Sequence, residues 1–150
     1  MIVIFDLDDT LYDESTYVKS SFKAVAFYIS EKYSLSENTI FEDLILVLNK
    51  QGRGYIFDEV LKKYNVYTKT EVKKCVSVYR KNIPHIKLFD DANDVLEMLA
   101  EYPKYLVSDG NKLVQSIKVN ALGIQKYFKK VFLTHHFGIK HSKPSTYCFN

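Results

Sequence analysis

Three polar residues that could carry chemistry follow the first apolar run of the chain. The run Ile2-Val3-Ile4-Phe5 ends at Asp6, and Asp8 and Thr10 follow at alternate positions. Two carboxylates this close repel each other, which is costly unless a cation or a reaction uses them. Turn formation or helix capping would also explain such aspartates, Asp9 included. For the carboxylates alone that explanation is favoured, and the buried-strand pattern before Asp6, together with the whole pattern of Asp6, Asp8 and Thr10, favours a reactive or metal-binding site instead.

Two later segments carry groups that suit an anionic ligand. Ser108, Asp109 and Gly110 follow an apolar run and precede a helical pattern, so a hydroxyl and helix-terminal amides could contact an anion there. Lys143, before Pro144, would add an ammonium group. A Ser-Asp-Gly turn and an exposed lysine are each common, so their order and position along the chain give them weight.

The elements that would position these residues alternate between strands and helices. Apolar runs predict strands at 2–5, 105–107 and 131–133, the first of them buried on both faces. A helix is predicted over 111–122, ended by Gly123. Its predicted inward positions are Leu113, Val114, Ile117 and Ala121. Such alternation predicts an α/β fold with a parallel, Rossmann-like sheet, whose ligands lie beyond the carboxyl ends of the strands.

A long helical segment separates the first strand from the rest of this core. Apolar spacing predicts helices within 22–29, 40–48, 58–64 and 70–82, and Ser36 is the predicted N-cap of the second. The expected organisation is a core of residues 1–12 and 87–150 with an all-helical insertion over 13–86. Asp90 and Asp91 are expected to cap a further helix that belongs to the core.

Taken in order, these motifs resemble the haloacid dehalogenase superfamily, subfamily I. The match comprises DxDxT at Asp6, Asp8 and Thr10, the serine at 108, and the Lys-Pro pair at 143. The resemblance implies a phosphohydrolase in which Asp6 attacks phosphorus to form an aspartyl-phosphate and Asp8 acts as acid and then base. It also implies that Mg²⁺ binds the Asp6 carboxylate and the Asp8 backbone carbonyl.

The remaining roles also come from the resemblance. Lys143 would hold the charges of nucleophile and phosphate together, Thr10 would orient the loop, and Ser108, Asp109 and Gly110 would contact the substrate. The insertion corresponds to a helical cap that closes over a small phosphorylated metabolite. Lys19, Arg53 and Tyr55 are candidate substrate contacts there, although each is more simply explained as part of a solvated turn or helix surface.

The resemblance departs from the family at its fourth motif. No acidic cluster follows Lys143, so the core is expected to be truncated and the chain to be a fragment; a partner chain or a loss of catalysis are the alternatives. Strand 2–5 would then form an exposed apolar edge that could pair with a second copy. Two rival functions stay open: a metal-free haloacid dehalogenase, and a non-catalytic phosphate-binding or interaction module.

Composition excludes several other classes. The apolar fraction of 47% and charged fraction of 26% fit a globular protein, and the net charge of +3 is scattered along the chain. Neither nucleic-acid nor membrane binding is expected, because no basic block and no apolar stretch of about 20 residues occurs. Cys75 and Cys148 are expected to be free thiols, and the expected location is cytoplasmic.

Overall fold

A three-stranded parallel sheet forms the centre of the core. The computed structural model of the chain describes residues 1–149. Its strands are β1 (Val3–Phe5), β2 (Lys104–Ser108) and β3 (Lys130–Leu133), in the order β1-β2-β3. Phe5 pairs with Leu106, and Ser108 pairs with Leu133. The predicted α/β class with a parallel sheet is confirmed, and the carboxyl ends of the strands lie at one edge of the sheet.

Strand β1 differs from its prediction in burial. Ile2 is 66% exposed and Ile4 is 45% exposed, so the expectation of a strand buried on both faces is wrong. Ile2 and Ile4 alternate with the half-buried Val3 and Phe5, so the described residues leave one face of this segment uncovered. Strand β1 also pairs with β2 on one side only, and no described residue pairs with its other side. The expectation that this strand forms an exposed apolar edge is confirmed for residues 1–149.

Six α-helices accompany the strands within the described residues. They are α1 (Glu14–Tyr33), α2 (Glu37–Gln51), α3 (Ile56–Lys63), α4 (Lys69–Lys81), α5 (Asp90–Met98) and α6 (Lys112–Leu122). Ser36 caps α2 as predicted, by accepting the amide of Thr39. Phe89 is the N-cap of α5, so Asp90 and Asp91 lie in its first turn and the expectation that they cap this helix is wrong. None of these helices combines the length and the apolar character that crossing a bilayer requires.

Helix α6 has the predicted bounds but a different inward face. Asn111 caps it by accepting the amides of Leu113 and Val114, and Gly123 ends it with φ 64°. Leu113, predicted inward, is 44% exposed, whereas Gln115 and Lys118 are each 2% exposed. The prediction failed because both polar side chains find hydrogen-bond partners inside the core, which outweigh the usual cost of burying them.

The chain divides into two compact units. One comprises Met1–Tyr17 with Ile83–Asn150, and the other comprises Val18–Asn82. These divisions lie a few residues from the predicted limits of the helical insertion. The second unit has its own apolar core, to which α1, α2 and α3 contribute Phe22, Val25, Ile29, Ile40, Leu44 and Leu61. Cys75 is buried in the same unit and is a free thiol, as is Cys148.

The buried carboxylate of Glu71 is expected to make the stability of the helical unit depend on pH. Glu71 is 4% exposed, accepts a hydrogen bond from Tyr28, and lies 2.5 Å from the Lys32 ammonium. Burial alone would raise the pKa of Glu71, but the hydrogen bonds from Lys32 and Tyr28 outweigh it and hold the pKa below its ordinary value. A group whose pKa is lower in the folded state stabilises above its unfolded pKa and loses that contribution as pH falls through the folded value.

We therefore expect the urea midpoint of the chain to fall as pH is lowered below about 4.5, and Glu71→Gln to flatten this acid limb. Glu59→Gln is the matched control, because the Glu59–Lys62 pair is exposed on the surface of α3. Asp43 also has a lowered pKa, and we expect its contribution to be the same in the wild type and in both variants. An acid limb equally steep in the Glu71 variant would contradict this prediction.

Candidate active site

Asp6 and Lys143 meet at the carboxyl edge of the sheet. Asp6 directly follows β1, and Lys143 lies in the loop region after β3. The Lys143 ammonium is 2.8 Å from Asp6 Oδ1, and the side chains are 31% and 44% exposed. The Leu7 amide also donates to Asp6 Oδ1. An accessible carboxylate thus lies beside an accessible cation, as a nucleophile and an anion-holding group would require.

Asp8 is held by three donors. The Tyr12 hydroxyl and the Lys118 ammonium each lie 2.7 Å from Oδ1, and the Gln115 side-chain amide lies 2.7 Å from Oδ2. Burial, and next the hydrogen bond to Asp8, raise the pKa of Tyr12 above its usual range, so its hydroxyl stays protonated and donates. The carboxylate of Asp8 is therefore fixed in orientation by groups from two parts of the chain.

Ser108 and Gly110 both lie next to the side chain of Gln115. Ser108, at the end of β2, has no exposed surface, and its hydroxyl accepts from Gln115 Nε2 at 2.6 Å. Gly110 has φ 121°, and an added Cβ would lie 3.3 Å from Gln115 Cδ. A side chain at position 110 would therefore be strained and would crowd Gln115. Gly110 thus permits a close approach of this side chain. Approach of substrate to the Gly110 backbone and contact of Ser108 with a phosphoryl oxygen both stay predictions.

Asp109 has internal partners. Its Oδ1 accepts from the Thr134 hydroxyl at 2.6 Å, and both of its oxygens lie 3.2 Å from the Lys143 amide. Thr134 directly follows β3 and is 1% exposed. This carboxylate joins the ends of β2 and β3 to the loop that carries Lys143, and contact of Asp109 with the substrate stays a prediction.

Thr10 and Asp9 belong to the turn between β1 and α1. Thr10 is exposed, and its amide donates to the Leu7 carbonyl at 3.4 Å. Asp9 has φ 52°, and its carboxylate accepts the amide of Glu14, the first residue of α1. Asp9 is thus a helix-capping residue, the alternative that the sequence left open, and orientation of the loop by Thr10 stays a prediction.

Three residues of this cluster escaped the sequence analysis: Tyr12, Gln115 and Lys118. Gln115 and Lys118 lie on α6 beside Val114 and Val119, which are also buried. Their three-residue spacing places them on one face of the helix. That spacing, in a helix directly after the predicted Ser108 segment, was the available signal.

Asp6 is the accessible carboxylate for a metal ion. Within residues 1–149, no group of three or more His, Cys, Asp or Glu side chains is arranged to hold an ion. The Asp8 carboxylate is occupied by its three donors, so this residue would contribute its backbone carbonyl. Mg²⁺ prefers oxygen donors and usually retains waters and substrate phosphate oxygens, so a site with two protein oxygens fits it.

A cavity of about 250 Å³ lies within the helical unit. The rings of Phe22, Phe57 and Tyr79 pack around one another with centroids 5.7–6.3 Å apart, and they line this cavity. Arg53 and Tyr55, two of the candidate substrate contacts, also line it. The cavity could accommodate an apolar group beside a charged one; a role of either residue in substrate binding stays a prediction.

Comparison with known proteins places the chain in a family. Residues 3–150 match the haloacid dehalogenase-like hydrolase family, and the chain belongs to it. Glyceraldehyde 3-phosphate phosphatase from Pyrococcus furiosus is 25% identical over 153 residues, covering 97% of this chain and 64% of that protein. The chain therefore spans slightly less than two thirds of the length of this curated relative.

Solved structures agree with this fold. The hydrolase YfnB from Bacillus subtilis, bound to magnesium, has a TM-score of 0.57 at 19% identity, covering 91% of this chain and 64% of that one. A subfamily IA hydrolase from Geobacter sulfurreducens has a TM-score of 0.57 at 14% identity, covering 88% and 61%. At these identities the likeness establishes the fold, and the activity has to be argued from the site.

Proposed function

We propose that this chain carries the nucleophile and acid–base groups of a Mg²⁺-dependent phosphatase that acts on a small phosphorylated metabolite. The observation that supports this most directly is the 2.8 Å pair of Asp6 and Lys143, with the Asp8 carboxylate two residues further along. The named relative, a glyceraldehyde 3-phosphate phosphatase, makes phosphorylated three-carbon compounds the first substrates to test.

The proposed reaction has two steps. An Asp6 oxygen attacks phosphorus, the bond from phosphorus to the leaving oxygen breaks, and Asp8 gives that oxygen a proton. Water then attacks the aspartyl-phosphate, Asp8 takes a proton from the water, and the bond from Asp6 to phosphorus breaks to release inorganic phosphate. Lys143, beside Asp6, offsets negative charge in both steps. Bound Mg²⁺, held by Asp6 and the Asp8 carbonyl, would supply further neutralisation of phosphate charge.

Removal of metal tests the cofactor. We expect release of inorganic phosphate from glyceraldehyde 3-phosphate and other small phosphomonoesters to stop in EDTA and to return with Mg²⁺. The thermal midpoint of the chelated protein serves as the control for unfolding. Undiminished turnover in chelator would contradict the metal requirement, and an absence of phosphate release with Mg²⁺ present would contradict the proposed activity.

Two other functions can be separated in the same assays. A metal-free dehalogenase would release halide from haloacids, but that chemistry has no need of a proton donor such as Asp8. A non-catalytic module would bind phosphate analogues without turnover. The edge of β1 that no described residue pairs, with Ile4 exposed on the strand and Ile2 exposed just before it, favours strand pairing in such a module, and a dimer in sedimentation would support it.

A further inference from the structure

Lys118 is a buried cation that the proposed mechanism does not yet use. Its side chain is 3% exposed, and lysine is almost never buried unless it is paired. Its ammonium lies 2.7 Å from Asp8 Oδ1, 3.5 Å from Glu14 Oε1, and 4.6 Å from the centroid of the Tyr17 ring. The strongest of these contacts is thus with the acid–base candidate of the site.

The donors around Asp8 leave it one orientation. Oδ1 accepts hydrogen bonds from Tyr12 and Lys118, and Oδ2 accepts one from Gln115. The Gln115 side chain also donates to the Ser108 hydroxyl. A carboxylate bound at both oxygens by side chains that are themselves buried cannot rotate without breaking several hydrogen bonds. Residues on α6 therefore fix the direction in which Asp8 faces.

We propose that Lys118 is a positioning residue, which holds the Asp8 carboxyl group in the orientation needed for proton transfer. The inference rests on the proposed phosphatase function. When water attacks the aspartyl-phosphate, the proton of the water passes to Asp8, while Lys118 stays hydrogen-bonded to Asp8 Oδ1 and holds that side chain in place. Small errors in placing a proton-transfer group cost large factors in rate, so a lysine that contacts no substrate can still control kcat.

A mutant cycle with Asp8 tests this role. We expect Lys118→Met to lower kcat on the order of 10²-fold with little change in KM. In an Asp8→Asn background the same substitution should cost almost nothing further, because Lys118 acts through the group already lost. Lys118→Arg, which keeps the charge, should recover part of the rate. Equal losses in both backgrounds would overturn the proposal, since a purely structural lysine would act independently of Asp8.

A second readout does not depend on turnover. In protein carrying ¹³C-labelled aspartate, Lys118→Met should move the carboxyl resonance of Asp8 and leave that of Asp43, in the helical unit, in place. Lys112→Met is the matched control, because Lys112 is exposed on the same helix. An Asp8 resonance unchanged by loss of Lys118 would overturn the proposal. Should the Met variant fail to fold, Lys118→Gln is carried through the same two experiments.

The two readouts also separate this inference from the proposed function. If the wild-type chain releases no phosphate, the phosphatase proposal fails, and the resonance of Asp8 still decides whether Lys118 orients that carboxylate. If phosphate is released and the mutant cycle is additive, the phosphatase proposal stands and the role of Lys118 is rejected.

Discussion

Replacing Asp6 with Asn is expected to lower phosphate release by about 10³-fold or more, because removing a covalent nucleophile costs about as much as losing the whole catalytic unit. The side-chain amide of asparagine has nearly the same shape as the aspartate carboxylate, but it does not attack phosphorus. The exposed ion pair with Lys143 contributes little to stability, so the variant should fold with an unchanged thermal midpoint. Phosphate release under saturating substrate and Mg²⁺ measures the loss.

Asp9→Asn is the matched control for this experiment. Asp9 lies in the same turn, is exposed, and caps α1 through its side chain, a role that asparagine also fills. Its activity should equal that of the wild type. Acid-quenched wild-type protein should carry a phosphoryl group that the Asp6 variant lacks. Turnover that survives in Asp6→Asn would remove the basis of the proposed mechanism.

The second large effect is expected at Lys143. Lys143→Met keeps an unbranched side chain that is one atom shorter and removes the charge 2.8 Å from the nucleophile. Loss of a preorganised group that stabilises developing charge typically costs about 10²–10³-fold in kcat. We also expect weaker inhibition by inorganic phosphate, because the same ammonium would hold the product anion. Steady-state kinetics with phosphate as inhibitor measures both effects.

Lys140→Met provides the comparison for Lys143. Lys140 is exposed in the same loop region. Its replacement therefore changes the net charge by the same amount and leaves the contacts of Asp6 as they are. Its kinetics should match those of the wild type at moderate ionic strength. If both variants lose activity to the same extent, the effect would come from the general charge of the loop and not from the pair with Asp6.

Local patterns predicted most of the elements of the core. The apolar run before Asp6, the strand before Ser108 and the helix from Asn111 to Gly123 all lie where expected. Parallel pairing then required Asp6 and the end of β2 to share one edge of the sheet. The meeting of Asp6 with Lys143 could not come from periodicity, because it depends on a long-range contact. The order of the family motifs supplied it.

The features that sequence reasoning missed depend on long-range partners. Hydrophobic periodicity assigns Gln115 and Lys118 to the solvent side of α6, whereas hydrogen bonds to Asp8 and Ser108 make their burial favourable. Ile4 shows the opposite error, since its burial required cover on its face of β1 that the described residues do not supply. A pattern in one segment cannot reveal which distant group will meet it.

The carboxylate of Asp109 has a consequence for anyone who would transplant this centre into another scaffold. It accepts hydrogen bonds from the Thr134 hydroxyl and from the Lys143 amide. Asp109 therefore anchors the loop from which the Lys143 ammonium contacts Asp6. Copying the reactive pair without that anchor would leave the lysine on an untethered loop. Asp109 and Thr134 would have to be transferred together with Asp6 and Lys143.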